Sequence, residues 1–103
     1  MDRHRSRILL VEDDPALGGR MVALLRAADY EVDGPHASVS DGMAALASHF
    51  PDGAILDLHG AADAAGLLKE DLAAYDIPFL EPASARPGWL EGRLLPWLRH
   101  VRH

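Results

Sequence analysis

The stretch Arg7-Ile8-Leu9-Leu10-Val11-Glu12-Asp13-Asp14-Pro15 decides how this chain folds. Its four apolar residues form an unbroken strand-favouring run, as suits a parallel strand covered on both faces. The run stops at three successive carboxylates. Asp14 before Pro15 then predicts a helix start, because the Asp side chain accepts orphan N–H groups and proline at the first helical position forfeits no hydrogen bond. A strand that runs directly into acidic residues and a helix start opens a strand-helix unit, and the rest of the chain repeats the unit.

Leu17, Met21, Leu24, Leu25 and Ala28 fall on one helical stripe. Tyr30 to Val32 predicts a short second strand ending at Gly34-Pro35. A second helix follows, capped by Ser38 or Ser40, with Val39, Met43, Leu46, Ala47 and Phe50 on its buried face. Pro51-Asp52-Gly53 reads as a turn, and Ala54 to Leu58 as a third strand with Asp57 near its C-terminal end. After a Gly/Ala loop, Leu67, Leu68, Leu72 and Tyr75 mark a third helix, and Ile77 to Leu80 a fourth strand. Leu90, Leu94, Trp97, Leu98 and Val101 have helical spacing, but Gly92 and Pro96 interrupt it, which predicts a kinked or two-piece terminal helix. The βαβαβαβ order implies an α/β fold, a doubly wound parallel sheet of four strands with right-handed crossovers and helices on both faces. Residues 1–6 are expected to form a flexible N-terminus ahead of one domain over residues 7–103.

Composition narrows the function. At 103 residues the chain can bury one core but not two. With 49% hydrophobic and 25% charged residues it resembles an ordinary soluble domain. The absence of cysteine excludes disulfides, Cys-ligated zinc, iron-sulfur clusters and thiol catalysis, and it fits a cytoplasmic protein. A formal charge of −6 opposes nucleic-acid binding. Arg3, Arg5 and Arg7, like the basic group from Arg99 to His103, read as solvated ends. The apolar run from Ile8 to Val11 is too short for a signal peptide or a membrane span. The expected protein is cytoplasmic, with no nucleic-acid or membrane partner.

In an open parallel sheet, ligands bind at the C-terminal ends of the strands. Glu12 and Asp13 follow the first strand and Asp57 lies near the end of the third, so three carboxylates are expected to converge there. Their mutual repulsion calls for a neutralising charge. Mg²⁺ suits such a place, because it takes hard oxygen ligands and keeps several waters. A carboxylate facing the metal can act as a nucleophile toward phosphorus, forming an aspartyl phosphate, and Asp57 is the best placed. The simpler reading is that acidic residues at strand ends are solvated or cap helices, and Asp14 is assigned to capping.

Taken in order, Arg7 to Pro15, Tyr30-Glu31-Val32, Gly34-Pro35 and Ala54-Ile55-Leu56-Asp57-Leu58 resemble the receiver domain of two-component response regulators over roughly residues 7 to 80. The resemblance implies a flavodoxin-like fold and phosphorylation of Asp57 by a histidine kinase or phosphotransfer protein. It also implies Mg²⁺ held by Glu12 (through water), Asp13, Asp57 and the backbone carbonyl of His59, and a downstream protein target.

The chain departs from that pattern. Receivers place Thr or Ser after the fourth strand and a Lys-Pro after the fifth, but this sequence has no threonine, and its one lysine is Lys69, on the third helix. The hydroxyl position falls at Ala83, with Ser84 one residue late as a substitute switch. If instead Phe79-Leu80-Glu81-Pro82 is the fifth strand, an acid stands near the lysine's place; either way one strand-helix unit is missing. Gly60-Ala61 replaces the usual Met-Pro. Fewer donors would remain to hold a phosphoryl group. Two functions therefore stand side by side, a stand-alone receiver and a degenerate one that binds partners without phosphorylation. A Mg²⁺-dependent phosphohydrolase fits less well, because His59 occupies the place of the acid that would protonate a leaving group.

An edge strand left by the deletion, or Trp89 and Trp97, would offer a homodimer surface, whereas the simpler reading has both tryptophans packing the terminal helix. Of the six histidines, His100 and His103 alone share chelating helical spacing, at a frayed end, and His59 stands at the rim of the acidic site. Gly18-Gly19 within the first helix points to close packing.

Overall fold

The computed structural model describes residues 5–58, 65–81 and 94–101. Along them run β1 (Arg7–Glu12), α1 (Pro15–Ala27), β2 (Glu31–His36), α2 (Val39–Ser48), β3 (Gly53–Asp57), α3 (Ala65–Ala74), β4 (Phe79–Leu80) and α4 (Leu95–Val101). Each strand pairing is parallel, and the sheet order is β2-β1-β3-β4. This is the four-stranded α/β fold expected from the sequence.

β1 is central, and Ile8, Leu9, Leu10 and Val11 are completely buried. The two-residue period of a strand divides these side chains between the two faces of the sheet. Ile8, Leu10 and Ile55 face Met21 and Leu25 of α1 and Leu98 and Val101 of α4. Leu9, Val11, Ala54 and Leu56 face Leu46 of α2 and Leu68 and Leu72 of α3. An unbroken apolar run is needed because both faces are covered.

The helix starts are set by side-chain caps. Asp14 Oδ1 accepts from the backbone N–H groups of Ala16 at 3.0 Å and Leu17 at 3.3 Å, with Pro15 beginning α1. Ser38, not Ser40, caps α2, its hydroxyl accepting from Asp41 N at 3.1 Å. Pro96 lies in the first turn of α4, where a helix has no use for its missing N–H, so the described part of the terminal helix is continuous. Leu90, Gly92 and Trp89 lie outside the described residues. Arg5 and Ser6, expected to be flexible, are engaged: Arg5 lies 3.3 Å from Asp29, and Ser6 O accepts from Glu31 N at 2.9 Å.

Other expectations need correction. β2 does not end at Gly34-Pro35 but continues through it to His36, with a shift of register against β1 between Leu9 and Val11. An edge strand tolerates proline because the N–H on its open side has no ladder partner. Phe50, read as part of the buried face of the second helix, is exposed, as are Leu67 and Tyr75 among the residues that marked the third. Phe50 comes after α2 has ended and Tyr75 after α3 has ended, so helical spacing no longer governs where they point. Instead their rings pair with each other, centroids 4.5 Å apart. Ala28, past the end of α1, and Ala47 are exposed as well.

Tyr30 fastens the terminal helix. Its buried hydroxyl donates to the carbonyl of Leu98 at 3.0 Å, and the start of β3 lies under the same helix, since a Cβ on Gly53 would meet both Val101 methyls at 3.1 Å. Tyr30→Phe removes a buried hydrogen bond and is expected to lower unfolding free energy by about 1–2 kcal/mol. Urea denaturation checks this, and an unchanged midpoint would mean that the bond does not hold α4.

Candidate functional site

The register of β1 and β3 aligns Ile8 with Gly53 and ends by aligning Glu12 with Asp57. The last residues of two neighbouring strands are thus carboxylates, with backbones about 4.8 Å apart. Alternation turns both toward the face that carries Ile8, Leu10 and Ile55, beneath α1. Glu12 is 2% exposed and Asp57 5%, and these are the buried charged residues among those described. Both stand at the C-terminal edge of a parallel sheet, where an α/β fold opens its binding crevice.

The turn after β1 holds Glu12. Asp14 N donates to Glu12 Oε2 at 2.9 Å, so Asp14 caps α1 with its side chain and orients Glu12 with its backbone. Asp13, between them, is exposed. The three acids expected to converge therefore divide into a buried pair, Glu12 and Asp57, and Asp13 at the solvent side. Among the described residues no three His, Asp or Glu side chains are grouped closely enough to ligate one metal ion. The donor set nonetheless suits a hard cation: two adjacent buried carboxylates with a third at the rim supply oxygen ligands only, as Mg²⁺ prefers. His59 and Ser84 lie outside the described residues, as does Ala83.

Lys69 stands on α3 as read from the sequence, and its ammonium lies 2.6 Å from the Glu81 carboxylate. Glu81 directly follows β4, and the register Ala54↔Phe79, Ile55↔Leu80 sets it level with Leu56, one residue short of Asp57. That places β4 as the neighbour of β3, at the edge of the sheet formed by the described residues. Of the two glycines in α1, only Gly18 is closely packed; a Cβ there would meet Pro35 carbons at 3.1 and 3.2 Å and Glu12 Cγ at 3.4 Å, whereas one on Gly19 would meet nothing within 4 Å. The sequence flagged the pair of glycines but not the carboxylate under one of them, because that contact joins three elements.

Away from this edge, Asp33 and His36 form a pair at 2.9 Å on β2, beside α2. Among the described residues no helix is long and apolar enough to cross a membrane. The sequence matches no protein-family model and no curated protein. Fold and site together define an α/β protein with a parallel sheet and a buried carboxylate pair at the C-terminal ends of two neighbouring strands.

Proposed function

We propose that this protein is a stand-alone receiver module, in which Asp57 accepts a phosphoryl group from a histidine kinase or phosphotransfer protein. The observation that carries the proposal is the alignment of Glu12 with Asp57, both buried, at the ends of adjacent parallel strands. Burying two like charges side by side is unfavourable unless a cation joins them. Glu12, Asp13 and Asp57, with the His59 carbonyl that the family resemblance adds, would hold Mg²⁺. The bound ion would offset negative charge on the phosphoryl oxygens during transfer.

Asp57 acts as the nucleophile. Its carboxylate oxygen forms a bond to phosphorus as the bond from phosphorus to the donor imidazole nitrogen breaks, and that nitrogen keeps the electron pair and takes up a proton. The protein then acts as a signal carrier rather than a turnover enzyme, working in the cytoplasm on a downstream protein.

A second reading, a degenerate receiver that binds its partner without phosphorylation, is favoured by the engagement of the sole lysine with Glu81. One experiment separates the two. Intact mass is measured after incubation with acetyl phosphate, with Mg²⁺ or with EDTA, and borohydride reduction then maps any acyl phosphate. A receiver gains one Mg²⁺-dependent phosphoryl group at Asp57. No adduct, under conditions that label an ordinary receiver, rules out the first reading in favour of the second.

A further inference from the structure

We infer that Gly18 is a positioning residue, whose missing side chain sets the direction of the Glu12 carboxylate. The inference rests on the receiver reading for its functional consequence, though not for its geometry. α1 crosses above the end of β1, and at Gly18 it comes down onto two groups from different strands. A Cβ there would lie 3.1 and 3.2 Å from Pro35 ring carbons on β2 and 3.4 Å from Glu12 Cγ on β1. Ordinary carbon contacts lie at 3.5–4.0 Å, so a side chain at position 18 would stand at about contact distance from Glu12 but too close to Pro35, and either the proline or the helix must give. Pro35 sits beside the ladder of β2, which limits its retreat. The helix is therefore the part that must lift, and its N-cap residue, Asp14, carries the amide that donates to Glu12 Oε2 at 2.9 Å. Glycine at position 18 therefore lets α1 sit close enough to β1 and β2 for that amide to hold the Glu12 carboxylate.

A helix interior ordinarily disfavours glycine relative to alanine, so two in succession, Gly18 and Gly19, call for a reason. Gly19 supplies the control. A Cβ on it meets nothing within 4 Å, so Gly19→Ala makes the same chemical change one residue along the same helix, with the same gain in helix propensity.

The experiment compares wild type, Gly18→Ala and Gly19→Ala by thermal melting, by the ¹H–¹⁵N shift of the Asp14 amide in metal-free protein, and by Mg²⁺ titration. Both variants are expected to fold. In Gly18→Ala the Asp14 amide shifts as its bond to Glu12 lengthens, and Mg²⁺ affinity falls about tenfold, the scale seen when groups supporting metal ligands are lost. In Gly19→Ala neither changes. An Asp14 amide that is unmoved by Gly18→Ala, or moved equally by both variants, overturns the inference. A shift specific to Gly18→Ala with no Mg²⁺ binding in any of the three proteins upholds the positioning of Glu12 and instead overturns the metal-dependent receiver reading.

Discussion

Asp57→Asn is expected to take up no phosphoryl group, with labelling by acetyl phosphate reduced by about a thousandfold or more, equivalent to a barrier higher by about 4 kcal/mol. The change is small in shape and decisive in chemistry. An amide matches the carboxylate in size, so the variant should fill the same slot at the end of β3, where Asp57 is buried to all but 5%. It lacks the anionic oxygen that attacks phosphorus. Glu12→Gln should behave differently: it leaves the acceptor in place, so labelling persists but requires more Mg²⁺. Intact mass across a Mg²⁺ series, with a melting curve for each variant, reads both effects. Wild-type labelling in Asp57→Asn would place the acceptor on another residue and remove the reason for pairing Glu12 with Asp57.

The second large effect concerns the backbone. Gly34 has φ +135°, a region that L side chains rarely adopt. An added Cβ would collide with the Leu10 carbonyl oxygen and lie 3.0 Å from His36 N. Neither is the tip of a flexible side chain, so nothing nearby can yield cheaply. Strain of this kind and overpacking each carry a penalty of roughly 1–3 kcal/mol. Gly34→Ala is therefore expected to lose about 3 kcal/mol or more, a large share of the roughly 5–15 kcal/mol that holds a domain together. For a chain of this size the melting temperature should fall by roughly 12 °C or more. A loss below about 1 kcal/mol would mean that β2 does not follow this path past Leu10.

The parts of the fold that local chemistry dictates were legible in the sequence. The apolar run to Val11, the Asp14-Pro15 helix start and the strand that carries Asp57 each depend on neighbours within a few residues, and each appears within a residue of where the pattern puts it. Periodicity misled at Phe50 and Tyr75, because a spacing rule cannot tell that the helix has already ended. It failed at Gly34-Pro35 for another reason: a pair that ordinarily breaks a strand is harmless on a sheet edge, and edge position is a property of the assembled sheet. At the site, Glu12 and Asp57 could be placed at the same rim from the sequence. That Asp13 faces solvent while Glu12 before it is buried follows from where β1 ends: Glu12 is the last residue of the strand and Asp13 lies in the turn beyond it. The hold on Glu12 by Gly18 and the Asp14 amide, and that on Lys69 by Glu81, depend on how elements cross and had no signal beyond an unexplained glycine pair.

The pairing of β1 with β3 also bears on when the site comes into being. At the other end of the same ladder, Arg7 N donates to Asp52 Oδ2 at 2.8 Å across 45 positions of sequence, and Asp52 N returns a bond to Arg7 O. Between these strands lie α1, β2 and α2, so no short fragment brings Glu12 and Asp57 together. Contacts so distant in sequence form late and slowly, since the loop must close before they contribute. On a chain emerging residue by residue, β1 waits unpaired with β3 until β3 is made. The carboxylate pair is therefore a marker of one folding event, the closure of the β1–β3 ladder: it exists only after the chain has spanned α1, β2 and α2 and brought β3 back beside β1.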